Sequence, residues 1–285
     1  MYRVTRILLL ICLILIIPRN GSAMSFTAAD RVIFLFGHPD DDAFICGTMR
    51  LAITAKADVY AAWATSGDYF GKGREREAEL NRAMEILGLS KSRIRLFRIP
   101  DLALLRNLEQ LANMTTRLFS VVKPNKVFVN AYEGGHPDHD AVNFLAFEAA
   151  RRTGLDPEIY EFPLYNGTGS FLHWKWRING FPPGGPPVRF MPLTEDTIQR
   201  KYRIMMEAYS TQWLYMIPAR LASPAEILKA KGEPYRLCPR NRDFTVPPHQ
   251  GTLNYERWFN SFMNITFKDF RAAVIRVQRN RPPQD

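Results

Sequence analysis

A chain of 285 residues with 46% apolar side chains has enough material for a full core in one large domain or two small ones. Its 38 basic against 28 acidic residues give a net charge of +10. No run of Lys and Arg interleaves with aromatics, which argues against nucleic acid and leaves anionic lipid or glycan as the partners such a charge attracts. Three cysteines without a C-x-x-C pair exclude a disulfide framework.

Residues 1–23 read as a segment apart from the fold. Arg3 and Arg6 precede an unbroken apolar run from Ile7 to Ile17, followed by Pro18, Arg19 and the small residues Gly21 and Ala23. As a helix this run rises about 16 Å against a hydrocarbon core of about 30 Å, which is short for a span and suits the core of a signal peptide. The expectation is an exported protein, periplasmic or secreted after cleavage. The alternative is a retained N-terminal anchor, which would bring membrane contact.

From Arg31 to about Pro163, short apolar runs alternate with amphipathic stretches. Strands are expected at 31–36, 58–64, 94–98, 126–130 and 158–162, and helices near 43–55, 74–87, 108–122 and 138–152. Gly88 suits the end of the second helix, and Lys123-Pro124 the end of the third. This βαβα rhythm predicts an α/β fold: a Rossmann-like, mostly parallel sheet with helices on both faces. Past Leu164 the rhythm breaks into an irregular C-terminal extension. Residues 180–187 can only be a loop, a helix is expected at 195–209, and a helix or a strand pair between 255 and 277. No linker or repeat divides residues 24–285, which are expected to form a single domain.

The densest chemistry lies at two strand ends. Phe36-Gly37-His38-Pro39-Asp40-Asp41-Asp42 follows the first strand, and Gly134-Gly135-His136-Pro137-Asp138-His139-Asp140 follows the fourth. Carboxylates crowded at the end of a buried strand repel one another and lose hydration, so a cation should compensate them. In parallel sheets ligands bind beyond the carboxyl ends of the strands, which is where both clusters fall. His38 and Asp41, three apart around a tight turn, can point at one ion, and His139 would complete a His-Asp-His set for Zn2+ or another divalent transition metal, one per chain. Asp40 is then available as general base toward water, and His136 as donor to an oxyanion. Asp138 or Asp140 could hold the His136 imidazole and favour its charged form. A lone His-Pro-Asp also makes an ordinary turn with an N-capping aspartate, a reading that Asp40 in particular leaves open. His173 and His249, without carboxylates nearby, read as packing residues.

The pair His38-Pro39-Asp40-Asp41 and His136-Pro137-Asp138-His139 resembles the two signature motifs of the PIG-L/LmbE-like de-N-acetylases. Thr65-Ser66-Gly67-Asp68, Arg76-x-x-Glu79-x-x-x-Ala83-x-x-x-Leu87-Gly88, Pro100-Asp101 and Lys201 with Tyr209-Ser210-Thr211-Gln212 resemble further stretches of that family. The likeness is good over residues 30–165 and thin beyond. It implies a catalytic domain in which His38, Asp41 and His139 bind zinc, Asp40 is the base, and His136, with Asp138 behind it, stabilises the tetrahedral intermediate. It implies that Arg76 and Asp101 touch the sugar. Asp42 stands where the family usually has glutamate, and Gly134-Gly135 where some members have tyrosine, with Tyr132 close by. The activity implied is removal of an acetyl group from an N-acetylglucosamine-type conjugate, lipid- or envelope-linked or otherwise. Two alternatives stand beside it: a non-catalytic carbohydrate-binding protein, and a zinc amidase for a non-sugar amide.

Overall fold

The computed structural model describes residues 24–69, 71–169, 177–212, 232–257 and 264–281. The expected signal or anchor at 1–23 and His173 lie outside the described residues. A seven-stranded sheet forms the centre. Its first five strands are β1 (Arg31–Phe36), β2 (Asp58–Thr65), β3 (Ile94–Ile99), β4 (Lys126–Asn130) and β5 (Glu158–Phe162). The helices between them are α1 (Cys46–Thr54), α2 (Gly73–Leu87), α3 (Leu108–Val122) and α4 (Pro137–Thr153). All five strands run parallel in the order β3-β2-β1-β4-β5. The α/β expectation therefore holds.

Alternation along the strands sorts the core into two layers, because successive side chains leave opposite faces of a pleated strand. Ile33, Leu35, Val127 and Val129 share one apolar layer with α3, α4 and Phe270, Val274 and Val277 of the last helix. Val32, Phe34, Phe36, Trp63 and Phe128 share the other with α1 and α2. Both faces are covered, as a parallel sheet requires.

Beyond β5 the sheet continues differently from what the sequence predicts. After the short antiparallel pair β6 (Tyr165–Asn166) and β7 (Arg177–Ile178), two strands extend the sheet: β9 (Gly232–Leu237) pairs antiparallel with β5, and β8 (Arg189–Pro192) pairs antiparallel with β9 at the edge. β9 carries Gly, Pro and two charged residues, a composition that reads as a turn. It is nevertheless buried, because Glu233 and Arg236 find ionic partners inside. The helix expected at 195–209 is α5 (Glu195–Arg203) followed by a π turn at Ile204–Ala208. The ambiguous stretch near the C-terminus contains one helical turn at Asn254–Arg257 and α6 (Phe267–Arg279). Among the described residues no helix is long and apolar enough to cross a membrane.

Candidate metal centre and active site

β1 and β4 are neighbours, and the sheet order reverses between them. That topological switch point opens a crevice at the carboxyl ends of both strands, and the two His-Pro-Asp turns meet there. Asn130, the last residue of β4, ties them together. Its Oδ1 accepts from the Gly37 N–H at 3.0 Å, and its Nδ2 donates to Asp41 Oδ2 at 3.0 Å. The approach is close: a Cβ on Gly37 would stand 3.0 Å from the His139 ring and 3.1 Å from Asp41 Oδ2. Asn130 escaped the sequence reading because a lone Asn at a strand end carries no motif.

The first turn is a 3-10 turn at Asp41–Phe44, and the His38 N–H donates to Asp41 Oδ2 at 2.9 Å. His38 Nδ1 lies 3.2 Å from His139 Nε2, which lies 3.3 Å from Asp41 Oδ1; the remaining pair, His38 Nδ1 and Asp41 Oδ2, is 3.7 Å apart. Ligands about 2.1 Å from a tetrahedral ion are separated by about 3.4 Å, so this donor set fits a zinc-sized cation. His38, His136 and His139 also offer nitrogens within 4.8 Å of one another, which brings His136 to the same centre. Burial alone would lower the His38 imidazole, but Asp138 and Asp41 hold it well above the ordinary histidine range. Burial would raise Asp41, yet His139 and His38 hold it well below the carboxylate range.

Asp40 precedes this turn with a left-handed backbone (φ 109°), and its side chain makes no capping hydrogen bond. The simple capping reading therefore fails. Instead Asp40 Oδ1 accepts from Arg76 Nη2 at 2.9 Å. Burial pushes the Asp40 carboxyl up to about 7, with Arg76 opposing and Asp41 reinforcing the shift. Arg76, on α2, also donates to the carbonyls of Pro39 and Gly67 and lies 3.7 Å from Asp101 Oδ2. Asp101 in turn accepts from the N–H groups of Gly67 and Tyr69 at 2.9 and 3.3 Å. Both residues thus have protein partners: Arg76 holds Asp40, and Asp101 holds the 67–69 loop.

His136 is the N-cap of α4, with Pro137 in the first helical position, where its missing N–H costs nothing. Its Nδ1 accepts from the Asp138 N–H at 3.1 Å, so the neutral ring carries its proton on Nε2. Burial, with His38 and His139 beside it, pushes this imidazole well below the ordinary histidine range. The support expected from the aspartates differs here. The Asp138 carboxylate is 4.0 Å from His136 Nδ1 but 3.2 Å from His38 Nε2, and it also accepts from the Leu102 N–H at 3.0 Å. It therefore orients His38, whose Nδ1 is then turned to the shared centre. Asp140 accepts from the N–H groups of Glu133 and Gly134 at 3.0 and 3.1 Å and fixes the loop before His136, not the ring.

Four further residues complete the surroundings. Asp42 accepts from Tyr209 Oη at 2.5 Å and from Trp63 Nε1 at 3.3 Å, and burial pushes it up to about 6 against those bonds. It anchors the first turn to the 209–212 stretch. Tyr132 turns away: its hydroxyl donates to the Val246 carbonyl at 2.7 Å and its ring packs on Phe244. The tyrosine at the centre is Tyr165, whose ring centroid is 5.4 Å from that of His139. Its carbonyl oxygen would be 1.9 Å from a Cβ on Gly135, which explains the glycine there. Glu133, fully buried, accepts from the Leu164 and Tyr165 N–H groups at 2.8 and 3.0 Å and so seats Tyr165.

Residues 33–150, which hold both turns, match the protein family described as GlcNAc-PI de-N-acetylase, PIG-L. No curated protein matches the chain. Among solved structures, the zinc-inhibited form of teicoplanin deacetylase Orf2 is similar at 15% identity and a TM-score of 0.57, covering 73% of this chain and 97% of that one. The conserved protein TT1542 from Thermus thermophilus is similar at 22% identity and a TM-score of 0.56, covering 78% and 100%. The N,N'-diacetylchitobiose deacetylase from Pyrococcus horikoshii follows at 17% identity and a TM-score of 0.51, covering 74% and 85%. At these identities the likeness to solved structures is one of fold.

Proposed function

We propose that this chain, a member of the PIG-L de-N-acetylase family through residues 33–150, is a metal-dependent hydrolase that removes the acetyl group from an N-acetylglucosamine-type sugar conjugate and releases acetate. The observation that carries this reading is the spacing of His38, His139 and Asp41, with donor atoms 3.2 to 3.7 Å apart, beside an aspartate that caps nothing. These three residues would hold the ion. His136 is the poorer ligand, because its Nδ1 is engaged and its Nε2 carries the proton. A divalent ion, zinc first and another transition metal second, supplies Lewis acidity toward the amide carbonyl and the attacking water.

The chain's own groups supply the rest. Arg76 fixes Asp40 Oδ1, leaving Oδ2 to take the proton of the attacking water. The His136 Nε2–H polarises the amide oxygen and stabilises the negative charge that develops on it. Asp138 keeps His38 oriented, and Asn130 does the same for Asp41. Arg76 and Asp101 act on the sugar side through the base and the 67–69 loop that they hold. An unactivated amide requires the cation, the base and the oxyanion donor together.

The test is acetate release from a panel of N-acetylglucosamine conjugates, read together with metal content. Acetate formation that is abolished by a chelator and restored by zinc supports the reading. Stoichiometric zinc with no acetate from any conjugate or simple amide would favour a carbohydrate-binding protein instead. Export belongs to the same proposal, with residues 1–23 as signal or anchor, and N-terminal sequencing of the mature protein tests it.

A further inference from the structure

The ligand set and the base are held from opposite sides of the crevice. Asn130 ties Asp41 and the Gly37 N–H to β4, and Asp138 orients His38 from α4. Asp40 is supported differently. Its carboxylate rests on Arg76 of α2, and its N–H donates to Asp42 Oδ1 at 3.4 Å. The same oxygen accepts from Tyr209 Oη at 2.5 Å and from the Trp63 indole at 3.3 Å. The backbone of the base is therefore tied, through Asp42, to a residue far along the chain.

The stretch that carries Tyr209 reaches both supports of Asp40. α5 runs into the π turn at Ile204–Ala208, which the Tyr209 N–H closes by donating to the Ile204 carbonyl, five residues back, at 3.3 Å. Single π turns of this kind are frequent at functional sites. Just beyond it, Ser210 Oγ, the Thr211 N–H and Thr211 Oγ1 all donate to the Glu79 carboxylate, at 2.7, 2.6 and 2.7 Å. Glu79 lies three residues after Arg76 on α2, so the two are neighbours on one helix face. Earlier on α5, Lys201 Nζ donates to the Phe44 carbonyl at 2.9 Å and holds the far end of the 3-10 turn. One segment thus grips the turn that bears Asp40 and the helix that bears its arginine.

Packing alone does not call for the Tyr209–Asp42 pair. Both residues are buried, and the donors to Asp42 Oδ1 are all neutral: a phenol, an indole and a backbone N–H. Asp42 Oδ2 has no hydrogen-bond partner among the described residues. A carboxylate in such surroundings costs free energy that an apolar pair of the same shape would avoid. What the polar pair adds is direction, because a short bond to Oδ1 fixes the turn in one orientation.

We propose that Tyr209 is a positioning residue for the base: its hydroxyl, acting through Asp42, holds Asp40 where it meets the attacking water, while the ligand set stands without it. The proposal rests on the deacetylase reading for the role of Asp40, but not for the hold on the turn.

Acetate release, zinc affinity and amide hydrogen exchange, measured on the wild type and four variants, test it. The variants are Tyr209→Phe, Asp42→Ala, the two combined, and Asp42→Asn. Tyr209→Phe should lower kcat about 10- to 10²-fold, as for a small misplacement of a reacting group, and leave KM and zinc affinity within about twofold. Asp42→Ala should lose as much, the combined variant no more than either, and Asp42→Asn, which keeps an acceptor at Oδ1, no more than about threefold. The Ala43 and Ile45 N–H groups donate to the Asp40 and Asp42 carbonyls, each at 3.0 Å. In zinc-loaded Tyr209→Phe these two amides should exchange about tenfold faster, with the amides of β4 unchanged. If Tyr209→Phe does not fold, the contrast between Asp42→Ala and Asp42→Asn carries the test.

An unchanged kcat, losses that add in the combined variant, zinc affinity that falls with kcat, or unchanged exchange at the turn overturns the proposal. So does an Asp42→Asn variant as slow as Asp42→Ala. A wild type that releases no acetate from any conjugate sinks the hydrolase reading alone, and exchange at the turn then decides whether Tyr209 holds it.

Discussion

Two groups of buried carboxylates sit on the same sheet and are compensated in opposite ways. At the ends of β1 and β4, Asp41 and Asp138 face the imidazoles of His38 and His139, at 3.2 to 3.7 Å. On the antiparallel side, Glu161 meets Arg236 Nε at 2.6 Å and Arg242 at 2.5 and 2.9 Å, and Glu233 meets Lys201 Nζ at 2.5 Å. Glu233 also accepts from the Gly47 and Thr48 N–H groups, where the positive end of α1 favours an anion. Guanidinium and ammonium groups keep their charge near neutral pH and have no lone pair to give, so the second group is electrostatically closed. Imidazole can lose its proton and donate a lone pair, so the first group can exchange protons for a metal ion. The difference separates a site from a clamp on one scaffold.

If that distinction is right, Asp40→Asn should lower acetate release by about 10²- to 10⁴-fold while metal content and stability stay near wild type, as for the loss of a general base. Parallel loss of the metal would instead make Asp40 a ligand. Next in size, Gly135→Ala forces a methyl group toward the Tyr165 carbonyl, 1.9 Å away, so the His136 loop must shift. A displacement of that order should cost about 10²-fold in kcat, and an unchanged rate would show that the loop does not set the position of His136. On the clamp side, Glu161→Gln leaves Arg236 and Arg242 buried without their anion and should destabilise the protein by about 3–5 kcal/mol in urea unfolding, with kcat preserved at permissive temperature. Burial would raise the Glu161 carboxyl, but Arg242 and Arg236 hold it at about 2. Its folded value is depressed, so its contribution is complete above the unfolded carboxylate value of about 4.3 and fades as pH falls toward 2. The wild type should lose stability across that window more steeply than Glu161→Gln does. The smallest effect belongs to Tyr132→Phe, which removes one hydrogen bond to the Val246 carbonyl and should cost about 1 kcal/mol of stability with no change in rate. A large fall in rate would bring Tyr132 to the reacting centre after all.

The two regions also differ in how far they could be read from the chain. The parallel half was legible because its strands are short, mostly apolar runs and two of its helices have a breaker of their own: Gly88 and Lys123-Pro124 end the helices that the structure shows there. The two turns that meet at the switch point were legible for the same reason, since their His and Asp residues lie within a few positions of a strand end. β8 and β9 were not, because burial of Glu233 and Arg236 depends on partners at Lys201 and Glu161, 32 and 75 positions away. The orientation of Asp138 was equally hidden. Next to His136 in sequence, it reads as that ring's partner, whereas the turn of α4 delivers its carboxylate to His38, 100 positions earlier. Tyr165 and Asn130 belong to no motif, and only the closeness of β6 and β4 to the centre reveals them.

Zinc affinity measured by competition with a chromophoric chelator, on wild type and His139→Ala, tests the shared centre most directly. The expected result is one ion per wild-type chain and none retained by His139→Ala under the same conditions, with both proteins folded. Equal zinc binding by the two proteins, or no binding by the wild type, would contradict a metal centre built by His38, Asp41 and His139.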